Sequence, residues 1–97
     1  MKTPALVYEV QAISPRVLDL GDDTLTPLQE AVGGYVQTAA YGSLTLAFNE
    51  EGLLRQLPPN PFFPKLVGNV VVTKVANHDF VGLSEAEIQE VQAKLGN

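Results

Sequence analysis

The sequence predicts an α+β domain, a small and mostly antiparallel sheet built from hairpins with one short internal helix and one C-terminal helix. Three observations carry this. Apolar and polar residues alternate with a period of two in the N-terminal half, Val70-Val71-Val72-Thr73-Lys74-Val75 is an unbroken β-rich run, and Leu83-Ser84-Glu85-Ala86-Glu87-Ile88 carries a helix-start signature. Ninety-seven residues with 45% hydrophobic content suit one domain spanning 1–97 with a single core.

Ala5 to Ile13 reads as the first strand, its alternation clearest from Tyr8 to Ala12 with Glu9 and Gln11 outward. Ser14-Pro15-Arg16 turns the chain into a short return strand over Val17–Leu20, and Gly21-Asp22-Asp23 ends it. Thr26 then stands as a helix cap with Pro27 at the tolerated first position and Gln29 completing a capping box; Gly33-Gly34 supplies the left-handed stop. Leu28, Ala31 and Val32 are the apolar stripe of this two-turn plug. Tyr35–Ala40 and Ser43–Phe48 are strands joined at Tyr41-Gly42, and Asn49-Glu50-Glu51-Gly52 is the next turn. Leu53–Leu57 is read as a third strand of a meander, with a helical alternative over Glu50–Leu57 that Gly52 weakens.

Leu57-Pro58-Pro59-Asn60-Pro61-Phe62-Phe63-Pro64 cannot continue a helix or occupy the middle of a sheet, because each proline lacks an N–H and has φ fixed. This loop is where function is expected. Its adjacent phenylalanines either plug the core or face a partner, and at least one belongs to the core. Val70–Ala76 reads as a central strand covered on both faces, followed by a turn at Asn77-His78-Asp79. In the last helix Ser84 caps, Glu87 answers, Leu83 staples onto Ile88, and Ile88, Val91 and Leu95 form one face before Gly96.

A net charge of −5 excludes general nucleic-acid binding and an anionic membrane surface as partners. The absence of cysteine excludes disulfides and thiolate sites and fits a reducing cytoplasm. The N-terminus has no signal-peptide pattern and no apolar run approaches a bilayer span, so the expected location is cytoplasmic. The bases between Gly52 and His78 (Arg55, Lys65, Lys74) have no acid within that segment, which is either an anion-facing patch or a set of bases paired with acids folded against them.

No acid–base or metal constellation stands out. His78-Asp79 lacks a nucleophile or second base, Asp22-Asp23 and Glu50-Glu51 lack calcium-loop spacing, and Gly33-Gly34 lacks the rest of a phosphate loop. The expectation is a protein that is not an enzyme and carries no cofactor or metal. The candidate ligand-binding residues are Tyr35, Asn49, Arg55, Asn60, Phe62 and Lys65: aromatics to stack a base, asparagines to read polar edges, cations to meet phosphate.

The ordered set Leu28-Gln29-Glu30-Ala31-Val32-Gly33-Gly34-Tyr35, Asn49-Glu50-Glu51-Gly52, Leu57-Pro58-Pro59-Asn60 and Gly68-Asn69-Val70-Val71-Val72 resembles a small domain-of-unknown-function family carried by bacteriophages, plasmids and other mobile elements. The chain departs from that pattern at Pro61-Phe62-Phe63 and at Asn69. The resemblance implies a mobile-element context rather than a mechanism, and by analogy an accessory role, such as countering host defence, in the host bacterial cytoplasm. Two functions follow as expectations. One is capture of a small nucleotide-like ligand. The other is a protein-interaction module that inhibits or modulates a host protein, its proline loop also able to bury in a homo-oligomer.

Overall fold

A computed structural model describes residues 3–95. The strands are β1 (Pro4–Tyr8), β2 (Arg16–Asp19), β3 (Val36–Tyr41), β4 (Leu44–Asn49), β5 (Val70–Ala76) and β6 (Asp79–Val81); the helices are α1 (Leu25–Val32) and α2 (Glu85–Leu95). The sheet runs β2-β1-β5-β4-β3 with every pairing antiparallel, and β6 pairs with the far end of β5. This is the expected α+β architecture of hairpins with one internal and one C-terminal helix.

The β-branched run of β5 lies in the middle of the sheet. Val70, Val71, Val72 and Thr73 are all fully buried, which requires cover on both faces. On one face Leu6, Tyr8, Leu46, Val70 and Val72 pack with Phe63, Leu83 and Val91. On the other, Ala5, Val7, Ala47 and Val71 pack with Leu20, Leu28 and Val32. Successive strand residues therefore point alternately at α2 with the proline loop, and at α1.

Several boundaries differ from those the sequence suggests. The first strand stops at Tyr8, opposite Val70, because the next backbone donor, Val10 N–H, is taken by the Asn69 side chain at 3.1 Å; the chain then turns with Ala12 N–H donating to Glu9 O. Past Tyr8, the period-two alternation of Glu9–Ala12 thus lies beyond the last available strand partner. Thr26 lies inside α1 rather than capping it: the N-cap position is Thr24, which makes no side-chain cap bond, and the Asp23 carboxylate just before it accepts the Thr26 hydroxyl at 2.6 Å and the Thr26 N–H at 3.5 Å. The α1 stop is as expected, with Gly33 at φ 80° and the N–H groups of Gly33 and Gly34 both on Gln29 O.

Leu53–Leu57 is neither strand nor helix. Glu50–Gln56 is a compact turn, with Arg55 N–H on Glu51 O, Gln56 N–H on Leu53 O and Leu57 N–H on Gly52 O. Gln56 at φ 54° breaks the helical course after a single turn. β6 was not legible as a strand, because Asn77 and His78, at φ 53° and 67°, make a tight hairpin turn of the type that glycine usually marks. The α2 start is as expected: Glu87 N–H donates to Ser84 Oγ at 3.1 Å and Ser84 N–H to Glu87 Oε1 at 2.8 Å. The expected stop at Gly96 lies outside the described residues.

Candidate functional site

The proline loop closes on itself. Pro59 bridges Val67, Asn60 N–H donates to Leu66 O, and Gly68 N–H donates to Pro58 O at 2.7 Å. Asn60 organises it from within. Its amide nitrogen donates to Tyr8 O and Gly68 O at 2.9 and 3.0 Å, and its amide oxygen accepts from the N–H groups of Phe62 and Phe63 at 2.9 and 3.2 Å. Both donors and both lone pairs are spent, and the residue is buried.

Phe62 and Phe63 both go to the core. Each meets the Tyr8 ring edge-on, with centroids 4.8 and 5.6 Å apart, and Phe63 also meets Tyr41. Asn49 is likewise structural: its amide donates to Val32 O at 3.0 Å and its oxygen accepts Glu51 N–H at 2.8 Å, joining the end of α1 to the turn after β4. Arg55 donates to Gly33 O at 2.6 Å, so the guanidinium meets the carbonyl end of α1. Lys74 pairs with Glu87 of α2 at 3.1 Å. The three bases of the acid-free segment are therefore divided between different tasks and do not form one patch.

A mostly apolar cleft of about 410 Å³ opens between the Asn49–Leu54 turn and Lys65–Val67, lined also by Phe48 and Gln37; a second opening of similar volume, at Glu9–Ala12 and Asn69, is mainly polar and holds none of the predicted site residues. The apolar side chains of Leu53, Leu54, Leu66 and Val67 dominate the walls of the first, and Gln37, Glu50 and Lys65 supply the polar groups. Leu53 and Leu54 stand at the rim 82% and 84% exposed, and Tyr35 is 66% exposed at the entry to β3. Among the predicted site residues, the structure brings Asn49 and Lys65 to this cleft, sets Arg55 on the same turn and Tyr35 nearby, buries Asn60 elsewhere and packs the half-buried Phe62 against the core. Leu53 and Leu54 were missed because a strand assignment gave one of them an inward direction; two adjacent exposed leucines imply a turn.

Gly34 shows how tightly the turn sits on α1. A Cβ there would lie 2.9 Å from Asn49 Nδ2 and 3.1 Å from an Arg55 guanidinium nitrogen. Electrostatic perturbation lies away from the cleft. Burial, with a smaller contribution from Tyr41, pushes Tyr8 up to about 12. The Ser84 N–H, followed by Lys74, holds Glu87 below the ordinary carboxylate value despite some opposing desolvation. Among the described residues no cluster of His, Asp or Glu is arranged to hold a metal ion, and no helix is long and apolar enough to cross a membrane.

Fold and cleft together define a small α+β domain in which a late strand closes two earlier hairpins into one sheet. The chain belongs to the family described as a domain of unknown function (DUF3846), whose model matches residues 1–96. No curated protein and no solved structure matches the chain.

Proposed function

We propose that this is a non-enzymatic accessory protein of a bacteriophage or mobile element, acting in the bacterial cytoplasm by binding a host protein at the Leu53-Leu54 cleft and so modulating a host system such as defence. One observation carries the reading: two adjacent leucines, almost fully exposed, rim a mostly apolar cleft. Lys65 has no ion pair among the described residues and offers that partner segment a contact for an acidic group. Capture of a nucleotide-like ligand has less support. The amides of Asn49 and Asn60 are engaged by backbone groups, and Phe62 packs on Tyr8.

Two measurements on the same chain test this. Affinity capture from a bacterial lysate is compared for the wild type and for Leu53→Ser/Leu54→Ser, with a partner band expected only for the wild type. Thermal melting is then followed with a panel of nucleotides and cyclic dinucleotides, where no shift is expected. A ligand at a hundredfold its dissociation constant adds about 2.7 kcal/mol, or roughly 10–20 °C for a domain this size. Such a shift, lost in Arg55→Ala, or a partner band unchanged in the double variant, overturns the reading.

A further inference from the structure

The β3 side of the sheet is an open edge. β3 pairs with β4 alone, and Gln37, Thr38, Ala39 and Ala40 are all exposed. The loop joining the two strands is Gly42-Ser43, with Tyr41 opposite Leu44, and this fixes which backbone groups point outward. Tyr41, Ala39, Gln37 and Tyr35 turn theirs toward β4, as shown by Glu50 N–H donating to Tyr35 O at 2.8 Å. Val36, Thr38 and Ala40 therefore present their N–H and C=O groups to the free side.

Edges of this kind are normally blunted by charge, proline or a bulge. β2, at the opposite edge, carries Arg16 and Asp19 at its two ends. β3 has no charge, no proline and an uninterrupted register. The uncharged stretch extends from Ala31 through Asn49, in a chain of net charge −5. This hairpin is thus a surface on which two acidic chains can meet without like charges opposing each other.

We propose that β3 pairs antiparallel with β3 of a second copy, about a two-fold axis at Thr38, joining the two sheets into one. In that register Val36 faces Ala40 of the second copy and Thr38 faces Thr38, so every outward N–H and C=O of Val36, Thr38 and Ala40 gains a partner. No other centre of symmetry within the strand uses all three residues. Gln37 then lies opposite Ala39 of the second copy, and the exposed Tyr35 opposite Tyr41, an aromatic cross-strand pair. The cleft reaches this edge at Gln37, so the strand of the second copy runs along its open side. The pairing does not depend on what the cleft binds.

Sedimentation equilibrium of the full chain at tens of micromolar tests it, with the expected mass twice 10.4 kDa. Thr38→Lys sets like charges opposite each other on the axis, and Thr38→Pro removes the central outward donor without touching the β3–β4 ladder. Both are expected to sediment as monomers. Because Thr38 is exposed, Thr38→Lys keeps the test valid even where the proline variant misfolds. The chain has no cysteine, so Thr38→Cys under mild oxidation should give a covalent dimer, whereas Ile13→Cys, at a position 92% exposed far along the chain, should not. A monomeric wild type, a dimeric Thr38→Lys, or equal cross-linking at positions 13 and 38 overturns the proposal.

Discussion

Asn60 ties the proline loop to β1, and Asn60→Ala is the substitution that most directly tests how this domain is held together. The change removes four hydrogen bonds with donor–acceptor distances between 2.9 and 3.2 Å. The Phe63 N–H is left buried without an acceptor, at a cost of roughly 1–3 kcal/mol. The carbonyls of Tyr8 and Gly68 lose a donor each, and the Phe62 N–H, only partly buried, recovers water. Summed conservatively, the loss is about 3 kcal/mol, equivalent to a fall in Tm of roughly 12–24 °C for a domain of this length. Asn60→Asp retains the acceptors for Phe62 and Phe63 but turns an oxygen toward the carbonyls of Tyr8 and Gly68; at neutral pH it should destabilise at least as much. Denaturant unfolding at constant m-value gives both numbers, and hydrogen exchange at the Phe63 amide shows whether loss begins in the loop. A cost below about 1 kcal/mol for Asn60→Ala would mean that water replaces the side chain, and the loop would not depend on it.

Three further outcomes are expected. Tyr8→Phe removes a buried hydroxyl that has no hydrogen-bond partner among the described residues, so it should leave stability unchanged or raise it by up to about 1 kcal/mol. In the wild type the folded Tyr8 ionises only at about 12, above its unfolded value, so its contribution is intact below pH 10 and is lost between about pH 10 and 12; alkaline unfolding should therefore shift to higher pH in Tyr8→Phe. Ser84→Ala should cost about 1 kcal/mol through the lost α2 cap, and an NMR titration should show the Glu87 midpoint still below the ordinary glutamate value, because the backbone N–H at position 84 and Lys74, which chiefly hold it down, both remain. Because the folded Glu87 value is depressed, its contribution is present above the unfolded value and fades as pH falls through the folded one. Gly34→Ala should displace Arg55 from Gly33 O and loosen the Glu50–Gln56 turn, read as faster hydrogen exchange at the Arg55 and Gln56 amides with little change at Val71.

The sequence made legible whatever depends on local pattern. The β-branched run of Val70–Ala76 implied burial on both faces, which holds for Val70–Thr73 while its C-terminal end emerges with Val75 44% exposed; the Ser84–Glu87 reciprocity implied a helix start, and Gly33 implied a helix stop, because each is set by neighbours within a few residues. Long-range partners decided the remainder. Whether Tyr8–Ala12 continues a strand depends on Asn69, and whether Asn60 reads a ligand or holds Phe62 and Phe63 depends on β1 lying beneath it. Asparagines, aromatics and cations mark a ligand site and a satisfied interior equally well. Of the candidate residues only Lys65 presents an unengaged polar group to the cleft, and the exposure of Leu53 and Leu54 follows from a turn that single-residue preferences did not reveal.

The position of β5 has a consequence for how the chain acquires its shape. The β1–β2 and β3–β4 hairpins are each local and complete early in the chain, but neither touches the other in the sheet; β5 lies between them. Leu6 waits for Val72. At the pace of translation, roughly 5–20 residues per second, that interval is on the order of 3–13 s for the β1 edge and about 1–5 s for the β4 edge, where Leu46 also waits for Val72. The last third of the chain is thus a keystone: each hairpin presents an unsatisfied backbone edge to any passing strand until it arrives. Newly made copies of this protein should be most vulnerable to mispairing and proteolysis in that interval.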